Sequence, residues 1–234
     1  MKIFFYVLII YISCFGSGMP KEYYEIKNTQ KMKQYFFNYI LKIAKAENQK
    51  ILKDRYFVIN VYNNLEKIDK NSQVIKRFNK ITKRYKIKKG ATLKEYLLKI
   101  DIIPPSLILA QAAIESGWGK SRFFKEANNI FGQWTWSGNG LTPSNRDNGK
   151  KHKIKIFNSL EESVRGYMIN LNVGWGYKEF RKLRYQLRLN NSKPNGLILS
   201  ETLKNYSQKK ETYTQILKDL IIRSNLAKYD TQQF

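Results

Sequence analysis

The sequence predicts a mainly α-helical chain with one small irregular or β-containing lobe. Apolar residues recur at three- and four-residue steps over most of the 234 positions, the spacing that lines one face of a helix. Alternating strand–helix units are missing, which disfavours a parallel sheet. One stretch, 128–153, is instead rich in Gly, Asn and Trp and leads into a strand candidate at 154–157.

Residues 20–30 are polar and are expected to be irregular. From Met32 to Phe57 the residues Tyr35, Phe36, Tyr39, Ile40, Ile43 and Ala44 recur at helical spacing, and Ile51 and Leu52 extend the pattern. A second helical pattern covers 59–86, with Val74, Phe78, Ile81 and Tyr85 on one stripe. Thr92 with Glu95 three positions on is a capping box, and that helix ends near Ile100. Pro104-Pro105 opens the next helix and Gly117 stops it. A short helix is expected over 120–127. Helices resume at about 159–173, 177–189, 196–205 and 211–225, with Glu161 and Glu162 in a first turn, where carboxylates favour the helix dipole. The expected organisation is a helical region over 19–100 packed on a second unit over 101–230.

Residues 1–18 read as a signal peptide: Lys2, an apolar run from Ile3 to Ile12, then the small residues Ser13, Cys14, Gly16, Ser17 and Gly18. The chain is therefore expected to be exported, to the periplasm or envelope. Ile12-Ser13-Cys14 resembles part of a lipoprotein cleavage box, although Tyr11 stands where Leu is usual, so lipid attachment at Cys14 is a variant of this expectation. With one Cys and one His, a zinc site, a disulfide framework and a Cys–His nucleophile pair are nearly excluded. No metal or cofactor is expected, and chemistry falls to carboxylates, hydroxyls, amides and Tyr.

Lys+Arg is 43 against Asp+Glu 18, a net charge of +25. That balance suits an anionic partner: nucleic acid, acidic lipid or an acidic wall polymer. The 33 Lys against 10 Arg, beside abundant Asn, Ile and Tyr, fit a biased genome equally well, so charge alone names no partner. The cations are spread along the chain without a recognisable module, and no nucleic-acid partner is expected.

The chemistry concentrates in Leu107-Ile108-Leu109-Ala110-Gln111-Ala112-Ala113-Ile114-Glu115-Ser116-Gly117-Trp118-Gly119. A lone carboxylate, Glu115, ends an otherwise apolar helix, on one face with Ile108, Gln111 and Ala112. Desolvation and the negative end of the helix dipole both favour its protonated form. A carboxylic acid still protonated near neutral pH is what glycoside cleavage needs to protonate the leaving oxygen. The plain alternative is a solvated Glu paired with one of many lysines. All four Trp, at 118, 134, 136 and 175, fall close by in sequence. Their faces suit sugar rings, and core packing is the competing role.

Pro104 to Ser121 and Glu126-Ala127-Asn128-Asn129-Ile130-Phe131-Gly132 together resemble the bacterial N-acetylglucosaminidase superfamily of peptidoglycan hydrolases. Phe131-Gly132-Gln133-Trp134-Thr135-Trp136, Asn145-Arg146-Asp147, Gly149-Lys150-Lys151-His152, Phe157 to Ser163 and Tyr167 to Asn172 are similar to its Bax branch, as is the run from Tyr35 to Leu52. The likeness covers roughly 30–230. It implies a lysozyme-like, α-rich fold with a small β lobe and hydrolysis of the β-1,4 bond after N-acetylglucosamine in peptidoglycan, with Glu115 as general acid.

The family's second carboxylate would fall in the β lobe, where Asp147 is the one acid, beside Arg146. Tyr206 and Tyr213 resemble the family's late tyrosines, able to bond the substrate's acetamido group or the developing charge. Two routes stay open: inversion with a second carboxylate, or attack by the substrate's own 2-acetamido oxygen. Gln111, Trp118, Asn129, Phe131, Gln133, Trp134, Trp136, His152 and Tyr177 complete the candidate sugar contacts. The expected partner is the peptidoglycan glycan strand, with an anionic wall or membrane surface as a further one. A catalytically inactive envelope-binding protein using the same groove, and a lytic transglycosylase built on one Glu, are the alternatives.

Overall fold

The structure, a computed structural model, describes residues 18–136, 138, 140–143, 151–206 and 210–231, without the side chains of 205, 206, 210 and 211. The signal-peptide run with Cys14, and Asp147, lie outside the described residues. Ten α-helices are described: α1 (Lys21–Glu25), α2 (Thr29–Tyr62), α3 (Gln73–Arg84), α4 (Leu93–Lys99), α5 (Pro105–Ser116), α6 (Arg122–Ala127), α7 (Leu160–Val173), α8 (Lys178–Leu189), α9 (Gly196–Ser200) and α10 (Lys210–Arg223). Strands β1 (Trp134–Thr135), β2 (Gly140–Leu141) and β3 (Lys153–Lys155) form an antiparallel sheet in the order β1-β3-β2. The chain is thus mainly helical with one small β lobe. Among the described residues no helix is long and apolar enough to cross a membrane.

The 34 residues of α2 span about 51 Å at 1.5 Å per residue. Its stripe Phe36, Ile40, Ile43, Ala44 and Ile51 is buried, as the spacing predicts. That stripe packs on α5 and α7 and joins one apolar core with them. Two expectations are corrected before α4. A short helix stands within 20–30, because Tyr23 is 1 % exposed and packs beside Tyr35 and Phe36. The pattern read as one helix over 59–86 is broken. α2 ends at Tyr62, and α3 starts only after Ser72, whose side chain accepts from Ile75 N. Phe78, Ile81 and Tyr85 are buried, but Val74 is exposed. The capping box at Thr92 and Glu95 is present.

The α4–α5 connection is clamped by arginines. Arg184, fully buried, donates to the carbonyls of Leu98, Asp101 and Ile102 and to Asn172 Oδ1. Arg188 grips the Asp101 carboxylate at 2.8 and 3.1 Å. Arg55 donates to the carbonyls of Leu97 and Ile100. Proline opens α5 as expected, yet Asp230 answers its first donors: the carboxylate accepts from Ser106 N, from Ser106 Oγ and from Gly196 N at the start of α9. Gly196 is required there, since an added Cβ would lie 2.1 Å from Ser106 Oγ.

Later helices follow the expected spans closely. The 196–205 pattern divides into α9 and a 3-10 segment, Glu201–Tyr206. Ser159 caps α7, and Glu162 Oε2 accepts from Asn158 N, so that carboxylate serves the helix start.

Candidate active site

The Glu-Ser-Gly-Trp-Gly run works as a turn. Gly117, Trp118 and Gly119 all take positive φ, at 56°, 60° and 71°. Ser116 Oγ donates to Ala112 O and accepts from Gly119 N, tying the reversal to α5. Gly119 leaves no room for a side chain, because a Cβ would meet the rings of Phe124 and Phe36 at 3.2–3.3 Å. This turn sends the Trp118 ring onto α2, edge-on to Phe36 and Phe37 at 5.8 and 5.1 Å. Trp118 is thus placed in the packing between α2 and the turn and does not line the cleft described next.

Glu115, in the last turn of α5, opens into a cleft of about 870 Å³. Phe131, Gln133, Trp134, Trp136 and Tyr177 share the lining with it, and Lys86 and Lys155 add cations. Trp134 and Trp136 are 53 % and 73 % exposed and stand edge to face at 6.1 Å. His152 stacks on Trp134 at 4.5 Å, which holds one indole face. Trp175, 87 % exposed, stands outside the lining.

Asn129 is a brace. Its amide nitrogen donates to the carbonyls of Gln133 and Lys155, and its oxygen accepts from Gln133 N. That ties the 129–133 loop to β3 and lays Phe131 flat on Tyr167, at 3.9 Å and 13°. Gly166 permits the fit, since a Cβ there would meet Gln133 and Phe157 at 3.1–3.2 Å.

Behind Glu115 runs a chain of neutral donors. Tyr167 Oη donates to Gln111 Oε1, Gln111 Nε2 donates to Tyr213 Oη at 2.9 Å, and Tyr213 Oη donates to Glu115 Oε1 at 2.7 Å. Burial pushes the Tyr167 phenol well above its ordinary pKa, so it stays protonated. A protonated phenol turns the Gln111 oxygen toward itself. The Gln111 amide nitrogen must then face Tyr213, which leaves the Tyr213 proton for Glu115. With Oε1 occupied as an acceptor, the proton of a neutral Glu115 belongs on Oε2.

Burial raises the Glu115 pKa, and the Tyr213 bond offsets part of that rise. That is the direction expected from the sequence. Gln111 shares the Glu115 face as predicted but is fully buried, so it orients Tyr213. Tyr213, 5 % exposed, meets Glu115 itself. Tyr206 closes the 3-10 segment after α9, and its side chain lies outside the described residues, as does Asp147. Sequence reading missed Tyr167, Lys86 and Lys155. Tyr167 opens one of the family-like runs but is one of 16 tyrosines on an ordinary helix stripe, and its packing under Phe131 is what gives it a role.

The model of the family described as mannosyl-glycoprotein endo-beta-N-acetylglucosaminidase matches residues 90–226, which include Glu115, Tyr167 and Tyr213. The chain is 38 % identical over 146 residues to Protein bax of Escherichia coli, covering 60 % of this chain and 52 % of that protein. It is 33 % identical over 79 residues to the peptidoglycan hydrolase FlgJ of Salmonella typhimurium, covering 28 % and 25 %. The chain thus spans about half the length of one relative and a quarter of the other. The catalytic domain of the autolysin Auto from Listeria monocytogenes aligns over 73 % of this chain and 95 % of that one, at 20 % identity and a TM-score of 0.38, too low to bear on the argument. A family model that spans more than half of the chain and takes in Glu115 with both tyrosines of its relay leaves one assignment: the chain belongs to the glucosaminidase family, on the branch represented by Protein bax.

Proposed function

We propose that this protein is an exported peptidoglycan hydrolase that cleaves the β-1,4 bond after N-acetylglucosamine, with Glu115 as general acid. One observation carries the reading. A carboxyl group held toward its neutral form lines a cleft whose other walls present exposed indole faces. Trp134, Trp136 and Tyr177 hold sugar rings by their faces. Glu115 Oε2 gives its proton to the glycosidic oxygen as the bond to the anomeric carbon breaks. Tyr213 keeps Oε1 occupied, positions the acid and then stabilises the carboxylate left behind. Residues 19–100 act as a helical buttress for a catalytic unit over 101–230, and residues 1–18 as the export signal.

Among the described lining residues, Glu115 is the one carboxylate. That favours attack by the substrate's 2-acetamido oxygen, with Asp147 as the residue that decides. Digestion of defined muropeptides, with products assigned by mass spectrometry, tests the whole reading. Wild type should release reducing N-acetylglucosamine ends, and Glu115→Gln should release them about 10²–10⁴-fold more slowly. Anhydro ends would mark a transglycosylase instead, and binding without cleavage an inactive wall binder. Asp147→Asn should keep most activity under the substrate-assisted route. A loss of about 10²-fold or more would assign Asp147 the role of base for an inverting attack.

A further inference from the structure

At one end of the cleft the wall turns strongly basic. Lys86 lines the cleft and also a second pocket of about 290 Å³, whose rim carries Lys88, Lys99, Lys178, Arg181 and Lys182. Tyr177 of the cleft is followed at once by Lys178 of the pocket, so the two concavities meet along two separate segments. Six cations share the pocket with one lining carboxylate, Glu95, which is already engaged by Thr92 N in the α4 capping box; of the six, Lys182 pairs with Glu179 at 2.8 Å and the buried Arg181 donates to the carbonyls of Leu171 and Gly174. Ile87 and Leu98 give the pocket an apolar floor.

Lys86 itself stands at a costly position. Its φ is 48°, a left-handed conformation that favours glycine at a helix end. Lys99 Nζ donates to the Lys86 carbonyl and fixes the turn, so one lysine of the pocket holds another in place. Burial and then the charge of Arg181 hold the Lys99 ammonium below its ordinary pKa. Crowded like charges of this kind are relieved by an anion.

We infer that this pocket binds the carboxylates of the acidic peptide stems borne by the glycan strand in the cleft, with Lys86 and Lys178 as the contacts nearest the sugar. The inference rests on the peptidoglycan reading and names the part of that substrate recognised beyond the sugars. Continuity with the cleft favours a group covalently attached to the strand. A concave pocket with an apolar floor suits the carbon chain of an amino acid ending in a carboxylate, and a lipid surface would need a convex or flat face. The lysines at 86 and 88 precede residues 90–226, so the helical region ahead of the family's matched segment supplies part of the specificity.

The test compares strands bearing stems with the same strands stripped of stems by an amidase. Wild type should prefer stem-bearing strands by about five-fold in kcat/KM, the size that two or three exposed ion pairs supply. The preference should reside in KM and fade in high salt. In Lys86→Gly/Lys178→Gln the ratio should fall to near one. The glycine relieves the left-handed strain, so Lys86→Gly alone should melt no lower than wild type, which separates a binding loss from unfolding. A wild-type ratio near one, or a ratio kept in the double variant, overturns the inference. If wild type cuts neither substrate, the hydrolase reading fails, and calorimetric titration of an acidic stem tetrapeptide into Glu115→Gln decides the pocket on its own. Salt-sensitive binding lost in the added double variant supports it, and no binding overturns it. Tighter binding of inorganic phosphate or of vesicles rich in anionic lipid than of the peptide would also overturn it.

Discussion

Two carboxylates of the same helical body, one buried and one half-buried in a cleft wall, take opposite characters. Asp101 is 1 % exposed. Burial pushes its pKa up, but Arg184, Arg188 and Arg55 outweigh that and hold it below the ordinary carboxylate range. Glu115 is also largely shielded, and its partner is a phenol, Tyr213, so burial prevails and the pKa rises. Depth alone therefore does not make an acid. A buried carboxylate beside guanidinium groups becomes a structural anion, and one beside neutral donors keeps a proton to give.

The sharpest test of that contrast is Glu115→Gln. It preserves the Tyr213 bond and removes the proton donor, so kcat/KM should fall by about 10²–10⁴-fold, read by release of reducing ends. Next comes Asp101→Asn, which strips the anion from a cluster of arginines. Urea unfolding at pH 7 should show a loss of about 3–5 kcal/mol. Because the Asp101 pKa is depressed in the fold, its contribution is present above the ordinary carboxylate range and disappears as pH falls through the folded value. The gap between variant and wild type should close on acidification. A loss below about 1 kcal/mol at pH 7 would erase the contrast with Glu115.

A smaller effect is expected from Tyr213→Phe. Losing the bond should cost about ten-fold in kcat/KM. That bond lowers the Glu115 pKa, so the alkaline limb of the pH profile should move upward in the variant. A downward move would show that Tyr213 supports the neutral form instead. The smallest effect concerns stability. Glu115 has a raised pKa in the fold, so wild type loses stability as pH rises from the ordinary carboxylate range through the folded value. Glu115→Gln should thus melt slightly higher than wild type at pH 7, and the margin should vanish below the ordinary carboxylate range.

Where local chemistry decides structure, the sequence was readable. Thr92 with Glu95 sets a helix start through bonds spanning three residues, Pro105 suits a first turn, and Gly117 stops α5 in the left-handed conformation. Glu115 stood out as the lone charge on an apolar helix. What lies between 62 and 73 was hidden, because apolar residues keep helical phase across Asn63-Asn64 and the polar run before Ser72. The relay was only half visible. Gln111 and Tyr213 were candidates, yet their bond joins residues 102 apart, and Tyr167, though it opens a family-like run, carried no sign of its part in the relay. Trp118 and Asn129 were read as sugar contacts, but their surroundings make one a packing ring and the other a brace. The same motif letters serve turn geometry, through three successive left-handed residues, as readily as they serve a ligand.

The Asp230 carboxylate ties distant parts of the chain together. It completes the first turn of the helix that carries Glu115, although 124 residues separate it from Ser106. The same carboxylate accepts the Gly196 amide, so a single side chain anchors the starts of both α5 and α9.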